Sequence, residues 1–360
     1  MRGVIFICAI ILSSICHSQI HDYGKSIELR PKAGFLIAHR ASMNHLVKSH
    51  FYSGEIAFNF HTDGSKYWHK AYNYPTFGIL GTFTYNGNSD VIGQAIGIGA
   101  CVKLPFINRN KWSFNSRLAG GFAYLTRKFD IIDNPKNNSI GSHLNLLVIL
   151  GIDVQYQFEK GFINFGIDFT HYSNSGTVKP NLGLNIPSLV LGYGFKTKRE
   201  TLKDPEYEEV NKKWTLLVHS VFSVNQNYNY QTRVYPVFGI NTYLNKRFGE
   251  KSGISTGIDL IYNEANRHFK TSPTNQTVIQ TFQVGAFTSY DLQVNRFVFQ
   301  LGMGAYLYNP YNPNGWLYHK LGGRVNLNKG YYINATVKTH WAKADYFELG
   351  LGYQFKLNRK

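Results

Sequence analysis

The sequence predicts an all-β fold: an antiparallel transmembrane β-barrel architecture of about 16 strands, built either as one barrel or as two eight-stranded units in tandem. Three observations predict it. No helical period is sustained beyond the N-terminal leader; apolar and polar residues instead alternate in runs of roughly ten closed by polar turns. The two faces of these runs contrast as lipid and a polar, tightly curved interior contrast, with aromatics at the run ends and many glycines on the polar side. Only 16% of the 360 residues are charged and 16% are aromatic, which is little charge for a soluble protein of this size. A soluble β-sandwich also alternates, but it explains neither the aromatic run ends nor an export signal. Backbone groups in lipid must all be paired, so a spanning sheet has to close.

The leader comes first. Arg2, the apolar run from Val4 to Ile15, and the small residues Cys16 and Ser18 read as a secretory signal peptide over residues 1–18, cut before Gln19. The run is shorter than the roughly 20 residues that a spanning helix needs, and Ile15 stands where a lipoprotein wants a small residue. The expected destination is the outer membrane of a Gram-negative cell. Cys8 and Cys16 leave with the leader, so Cys101 remains alone. That excludes an intramolecular disulfide and reads as core filler.

Residues 19–197 form the first eight-strand region. Ser113, Asn115, Arg117 and Ala119 oppose Phe114, Leu118, Phe122 and Tyr124. Asn145, Gly151, Asp153, Gln155 and Gln157 oppose Leu144, Leu146, Val148, Leu150, Ile152, Val154, Tyr156 and Phe158. Trp112, Phe158, Tyr193 and Phe195 sit at run ends, as girdle aromatics do. A charged linker follows over residues 198–212, and an even number of preceding strands puts it in the periplasm with the N-terminus. Residues 213–360 form the second eight-strand region. There Arg296, Gln300, Gly302 and Gly304 oppose Phe297, Phe299, Leu301 and Met303, and Glu348, Gly350, Gly352 and Gln354 oppose Leu349, Leu351, Tyr353 and Phe355. The two regions end alike, in "LVLGYGFK" and "LGLGYQFK", which hints at an internal duplication.

The formal charge of +17 comes from scattered residues, 38 Lys and Arg against 21 Asp and Glu. No recognition module accompanies it, so nucleic acid is not an expected partner. Basic loops facing a phosphate-rich lipid surface suit the charge better.

The chemistry concentrates in "FINFGIDFTHYSNSGTVKPNLGLN". Ile163, Phe165, Ile167 and Phe169 share one strand face, with Asn164, Asp168, Thr170 and Tyr172 on the other. His171 and Ser173 continue the apolar face. Two residues apart on a strand, their Cα atoms are about 6.5 Å apart, within reach of an imidazole–hydroxyl hydrogen bond. On a lipid-facing surface such a nucleophile meets acyl esters. The bland alternative is an interfacial packing histidine in a chance H-x-S. The turn that follows carries Asn174, Gly176, Asn181 and Gly183, of the kind that present donors to an oxyanion. Asn185 returns with the parity of the same face, beside His171, where an orienting third group belongs. In the second region, Lys338, His340 and Glu348 fall on the inner face and read as a lumenal polar network rather than a second site. No cluster has metal-ligand spacing, and no cofactor is expected.

The segment "HYSNSGTVKPNLGLN" resembles the active-site segment of the outer-membrane lipid A 3-O-deacylases, whose pattern is H-x-S-N, a glycine, P-N-x-G and a triad acid. Residues 120–145 together with that motif resemble the longer relatives commonly labelled acyloxyacyl hydrolases. The resemblance implies an eight-stranded barrel with a lipid-facing Ser-His-Glu triad that removes an ester-linked acyl chain from lipopolysaccharide. It implies His171 as general base, Ser173 as nucleophile, and Asn174, Gly176 and Asn181 as supports of the loop and oxyanion site. The partners implied are lipopolysaccharide and its lipid A, with other outer-membrane lipids. One departure stands out: Asn185 occupies the place of the glutamate, and an amide accepts a hydrogen bond without supplying charge to an imidazolium. Asp168 cannot substitute, since parity turns it to the lumen. Two functions are therefore expected to compete: a Ser-His esterase acting on lipopolysaccharide, and a non-catalytic structural, lipid-binding or transport barrel.

Overall fold

A computed structural model describes residues 23–200, 203, 212–226, 233–268, 278–310, 314–341 and 343–357. The expected signal peptide lies outside these residues, as does the expected linker apart from 198–200, 203 and 212. The strands are β1 (Tyr23–Gly34), β2 (Phe51–His61), β3 (Thr76–Tyr85), β4 (Gln94–Arg109), β5 (Trp112–Leu125), β6 (Leu144–Phe158), β7 (Gly161–Ser173) and β8 (Leu184–Glu200). They continue as β9 (Thr215–Asn225), β10 (Tyr235–Arg247), β11 (Ser252–Asn263), β12 (Phe282–Val294), β13 (Phe297–Tyr308), β14 (Leu317–Asn326), β15 (Tyr331–His340) and β16 (Lys343–Lys356).

All neighbours pair antiparallel in sequence order. β8 returns to β1 and β16 returns to β9, which resolves the expected sixteen strands into two closed barrels of eight. Closure at eight leaves an interior that side chains alone can fill. The similar stretches 189–196 and 349–356 lie in the two closing strands, β8 and β16. No helix among the described residues is long and apolar enough to cross a membrane. The one α-helix among the described residues, α1 (Tyr67–Ala71), sits in the β2–β3 connection.

The alternation maps onto the walls. Ile163, Phe165, Ile167 and Phe169 are exposed on the outside of β7, while Asn164, Asp168, Thr170 and Tyr172 are buried in the lumen. Rings mark the strand ends on the side of Tyr23: Trp112 lies 4.8 Å from Tyr156, Phe158 6.1 Å from Tyr193 and Tyr331 5.1 Å from Tyr353. An aromatic girdle at the interface has this layout.

The middle of the first lumen is a charge cluster. Arg30 Nη1 lies 2.8 Å from Glu28 Oε1, Lys32 Nζ lies 2.8 Å from Glu55 and 2.7 Å from Asp168, and Arg117 Nη2 lies 2.5 Å from Glu55. Burying so many charges is tolerable because each faces an opposite one at hydrogen-bond range. A uniformly polar interior, however, is not what forms. Leu36, Met43, Leu46, Ile92 and Ile140, all from segments between strands, pack with Leu147, Tyr172 and Leu184 into one apolar cluster at the mouth opposite Tyr23. The loops fold over the mouth and bring their own grease, so the inward residues at that level are apolar.

The second lumen holds Asp259, whose carboxylate accepts from Tyr243 and from Tyr318 at 2.6 Å and pairs with Lys320 at 3.0 Å. Lys320 also meets Glu348 at 3.1 Å. Lys338, His340 and Glu348 all face inward here. Arg296 does not share the lumenal face of Gln300: β12 ends at Val294 and β13 starts at Phe297, so Arg296 lies exposed in the turn beside Asn295, which has φ 55°. A turn of two residues preserves the period and so hides in the pattern.

Candidate active site

β7 and β8 pair so that His171 stands directly opposite Asn185. His171 Nδ1 lies 2.6 Å from Asn185 Oδ1, and its Nε2 lies 3.0 Å from Ser173 Oγ. An amide oxygen only accepts, so Nδ1 carries the imidazole proton and Nε2 is left to accept from the serine hydroxyl. That is the tautomer a nucleophile–base pair requires. Parity alone produced this side-by-side placement: both residues sit on the outer face, two steps beyond exposed Phe169, with exposed Leu189 and Leu191 on the neighbouring strand. An apolar wall therefore runs down from the hydroxyl toward the membrane.

Sequence reasoning missed a fourth residue. Beyond β1 the chain keeps pairing with β8, through Phe35 N–H to Pro187 O at 3.3 Å and Ile37 N–H to Asn185 O at 2.9 Å. This carries His39 alongside, where its Nδ1 lies 3.1 Å from Asn185 Nδ2. The amide thus turns its oxygen to His171 and donates its N–H to His39. No local signal marks His39, which lies in an irregular loop and meets Asn185 only once β1 and β8 close the barrel.

The loop after Ser173 is tied by its own amides. Asn174 donates from Nδ2 to Val178 O at 2.7 Å and to Ser142 Oγ at 3.0 Å, and its Oδ1 accepts from Gly176 N–H at 3.0 Å. The Asn174 N–H donates to Asn181 Oδ1 at 3.0 Å. Asn174, Gly176 and Asn181 therefore come together as one knot directly behind the serine. Gly183, at φ +75°, donates its N–H to Ser139 O at 3.0 Å. A Cβ there would stand 2.9 Å from His171 Cε1 and 3.1 Å from Tyr172 O, so glycine is what lets the chain cross the imidazole. Asp168 is remote from the serine, in the lumen at 2.7 Å from Lys32. Among the described residues no three His, Cys, Asp or Glu side chains converge as metal ligands.

Two family models match the chain in succession. The family described as lipid A 3-O-deacylase (PagL) matches residues 52–194, and that described as acyloxyacyl hydrolase, C-terminal domain, matches residues 212–357. The chain belongs to the lipid A 3-O-deacylase family. The deacylase match contains Ser173, His171, Asn185, Asn174, Gly176 and Asn181, and the family places the chain among outer-membrane β-barrels. Among solved structures, the crystal structure of the outer membrane enzyme PagL is 18% identical, over 47% of this chain and 98% of its own, with a TM-score of 0.34. A triple mutant of the Rhodopseudomonas blastica porin is 7% identical over 92% of this chain and 99% of its own, with a TM-score of 0.19. The siderophore receptor PirA from Pseudomonas aeruginosa is 7% identical over 92% and 81%, with a TM-score of 0.23. No curated protein matches the chain.

Proposed function

We propose that this family member is a lipid A deacylase-like esterase of the outer membrane that hydrolyses an ester-linked acyl chain of lipopolysaccharide. The carrying observation is the line from Ser173 Oγ through His171 to Asn185, at 3.0 and 2.6 Å, on the lipid-facing side of the barrel. Ser173 attacks the ester carbonyl while His171 Nε2 takes its proton. The sugar hydroxyl leaves with that proton, and the acyl group stays on Ser173. Water then attacks the acyl-enzyme with His171 again as base, and the fatty acid departs. The knot of Asn174, Gly176 and Asn181 shapes the place where the carbonyl oxygen gathers charge.

Asn185 lowers the ceiling of this machine. Replacing the triad acid by an amide costs a serine protease about ten-thousand-fold, with the wrong imidazole tautomer as a main cause. Here the amide oxygen faces Nδ1, so the tautomer is kept and only the stabilising charge is missing. That missing charge is also what favours the second reading, a non-catalytic lipid-binding barrel. Mass spectrometry of lipid A from cells expressing the parent or Ser173→Ala separates the two. Loss of one ester-linked acyl chain with the parent alone is the expected result; an unaltered lipid A from correctly inserted parent protein overturns the esterase.

A further inference from the structure

The catalytic loop does not stand free; its outer side rests on the other barrel. Gln226, which follows β9, accepts the Lys179 N–H on its Oε1 at 2.6 Å. Across the rim, Gly176 packs against the first residues of β16: a Cβ on it would lie 2.7 Å from both the Ala344 and the Asp345 carbonyl oxygens. With φ at +84° as well, position 176 needs glycine for the loop to approach that backbone. The β16 end is itself anchored, since Asp345 Oδ2 lies 2.7 Å from His340 Nδ1, whose Nε2 reaches Tyr306 Oη at 3.3 Å in the second lumen. The Lys179 ammonium sits among the same groups: burial first, and then the charge of Lys343, push it down to about 8 against the pull of Asp345. At the opposite end the barrels touch again, where Tyr72 Oη donates to Gln293 O at 2.5 Å and Lys251 Nζ stands 4.8 Å over the Tyr72 ring.

We propose that the second barrel is the seat of the catalytic loop, with Gln226 and the Ala344–Asp345 backbone holding residues 174–180 and, through them, Ser173 in register with His171. The connection is short. Gln226 holds the Lys179 amide, Val178 O next to it accepts from Asn174 Nδ2 at 2.7 Å, and Asn174 is bonded to Ser173. A nucleophile must be held to within about 0.5 Å, and a misplacement near 1 Å can cost about a hundredfold in rate. Ser173 is the last residue of β7, so on one side only the loop can hold it. Gln226 is thus a positioning residue, and the lumenal His340–Asp345 contact supports the seat rather than a second reaction. The catalytic consequence rests on the esterase reading above; the seat itself does not.

The test uses the full chain with Gln226→Leu and Gln226→Glu, the latter keeping a carboxylate oxygen for the Lys179 N–H. Folding of each variant is checked by its heat-dependent electrophoretic mobility. Hydrogen exchange of residues 174–180 reads the seat, and lipid A hydrolysis reads kcat and KM. Gln226→Leu should exchange faster in this segment alone and lose about tenfold in kcat at unchanged KM, and Gln226→Glu should restore both. Exchange in Gln226→Leu equal to the parent overturns the seat, and faster exchange at unaltered kcat overturns the positioning role. If hydrolysis survives Ser173→Ala, the esterase assignment of Ser173 falls while exchange still decides the seat.

Discussion

In the proposed esterase Asn185 is the residue on which the chemistry turns, because it is held from both sides. Its oxygen meets His171 at 2.6 Å and its nitrogen meets His39 at 3.1 Å. A free amide could present either end to the imidazole, and the wrong end would place the proton on Nε2, where it blocks the attack. In that proposal His39 works by orienting the amide. In lipid A hydrolysis, His39→Leu should lower kcat about fivefold, the worth of one hydrogen bond near 1 kcal/mol, while His39→Asn, whose Oδ1 takes the place of Nδ1, should keep it. Asn185→Asp should raise kcat by adding the missing charge, and in that background His39→Leu should cost much less. Equal losses from His39→Leu in both backgrounds would show that His39 does not act through the amide. Alternation along β7 and β8 made His171, Ser173 and Asn185 readable as neighbours, since register converts parity directly into contact. His39 was unreadable because its partner lies 146 residues away and its loop has no period.

At the scale of elements, strands were legible and loops were not. The inside and outside of β5, β6, β7 and β13 follow from period two alone. The filling of the first mouth does not, because residues such as Met43 and Ile140 reach it from the segments between strands. The loop over residues 174–183 is of this second kind, and its one titrating group supplies a prediction. Seated, the Lys179 ammonium titrates at about 8, pushed down by burial and then by Lys343, with Asp345 opposing; unseated, it returns to the ordinary lysine value near 10.4. Below pH 8 both states are protonated and seating carries the full burden of burying the charge. Between about 8 and 10 the unseated loop binds more protons, so seating strengthens as pH rises. The opening free energy of the Lys179 amide, from exchange rates corrected for intrinsic pH dependence, should increase over that window and become flat in Lys179→Met. A slope that persists in Lys179→Met would assign it to another group.

The whole molecule is held by two interiors of different make. In the first, Arg30 is the hub: it lies within 3.7 Å of Glu28, Glu55, Asp153 and Asp168. Removing one member of a buried ionic set leaves its partners uncompensated, so Arg30→Met should destabilise the first barrel by about 3–5 kcal/mol, read from urea unfolding in lipid vesicles. A midpoint equal to the parent would mean that water or the remaining cations Lys32, Lys103 and Arg117 carry those carboxylates.

By itself the sequence determined that this chain is a wall of antiparallel strands, which residues face lipid, and that a histidine and a serine share that face near a rim. Each of these depends on neighbours a few residues apart, where the pleat enforces side-chain direction. Only the tertiary structure decided that sixteen strands close as two eights, that His39 completes the polar line, and that the loop after Ser173 leans on Gln226 and Asp345. Those outcomes rest on pairings across the barrel seams and between the barrels, where contact is set by curvature and closure of the whole sheet and no local period records it.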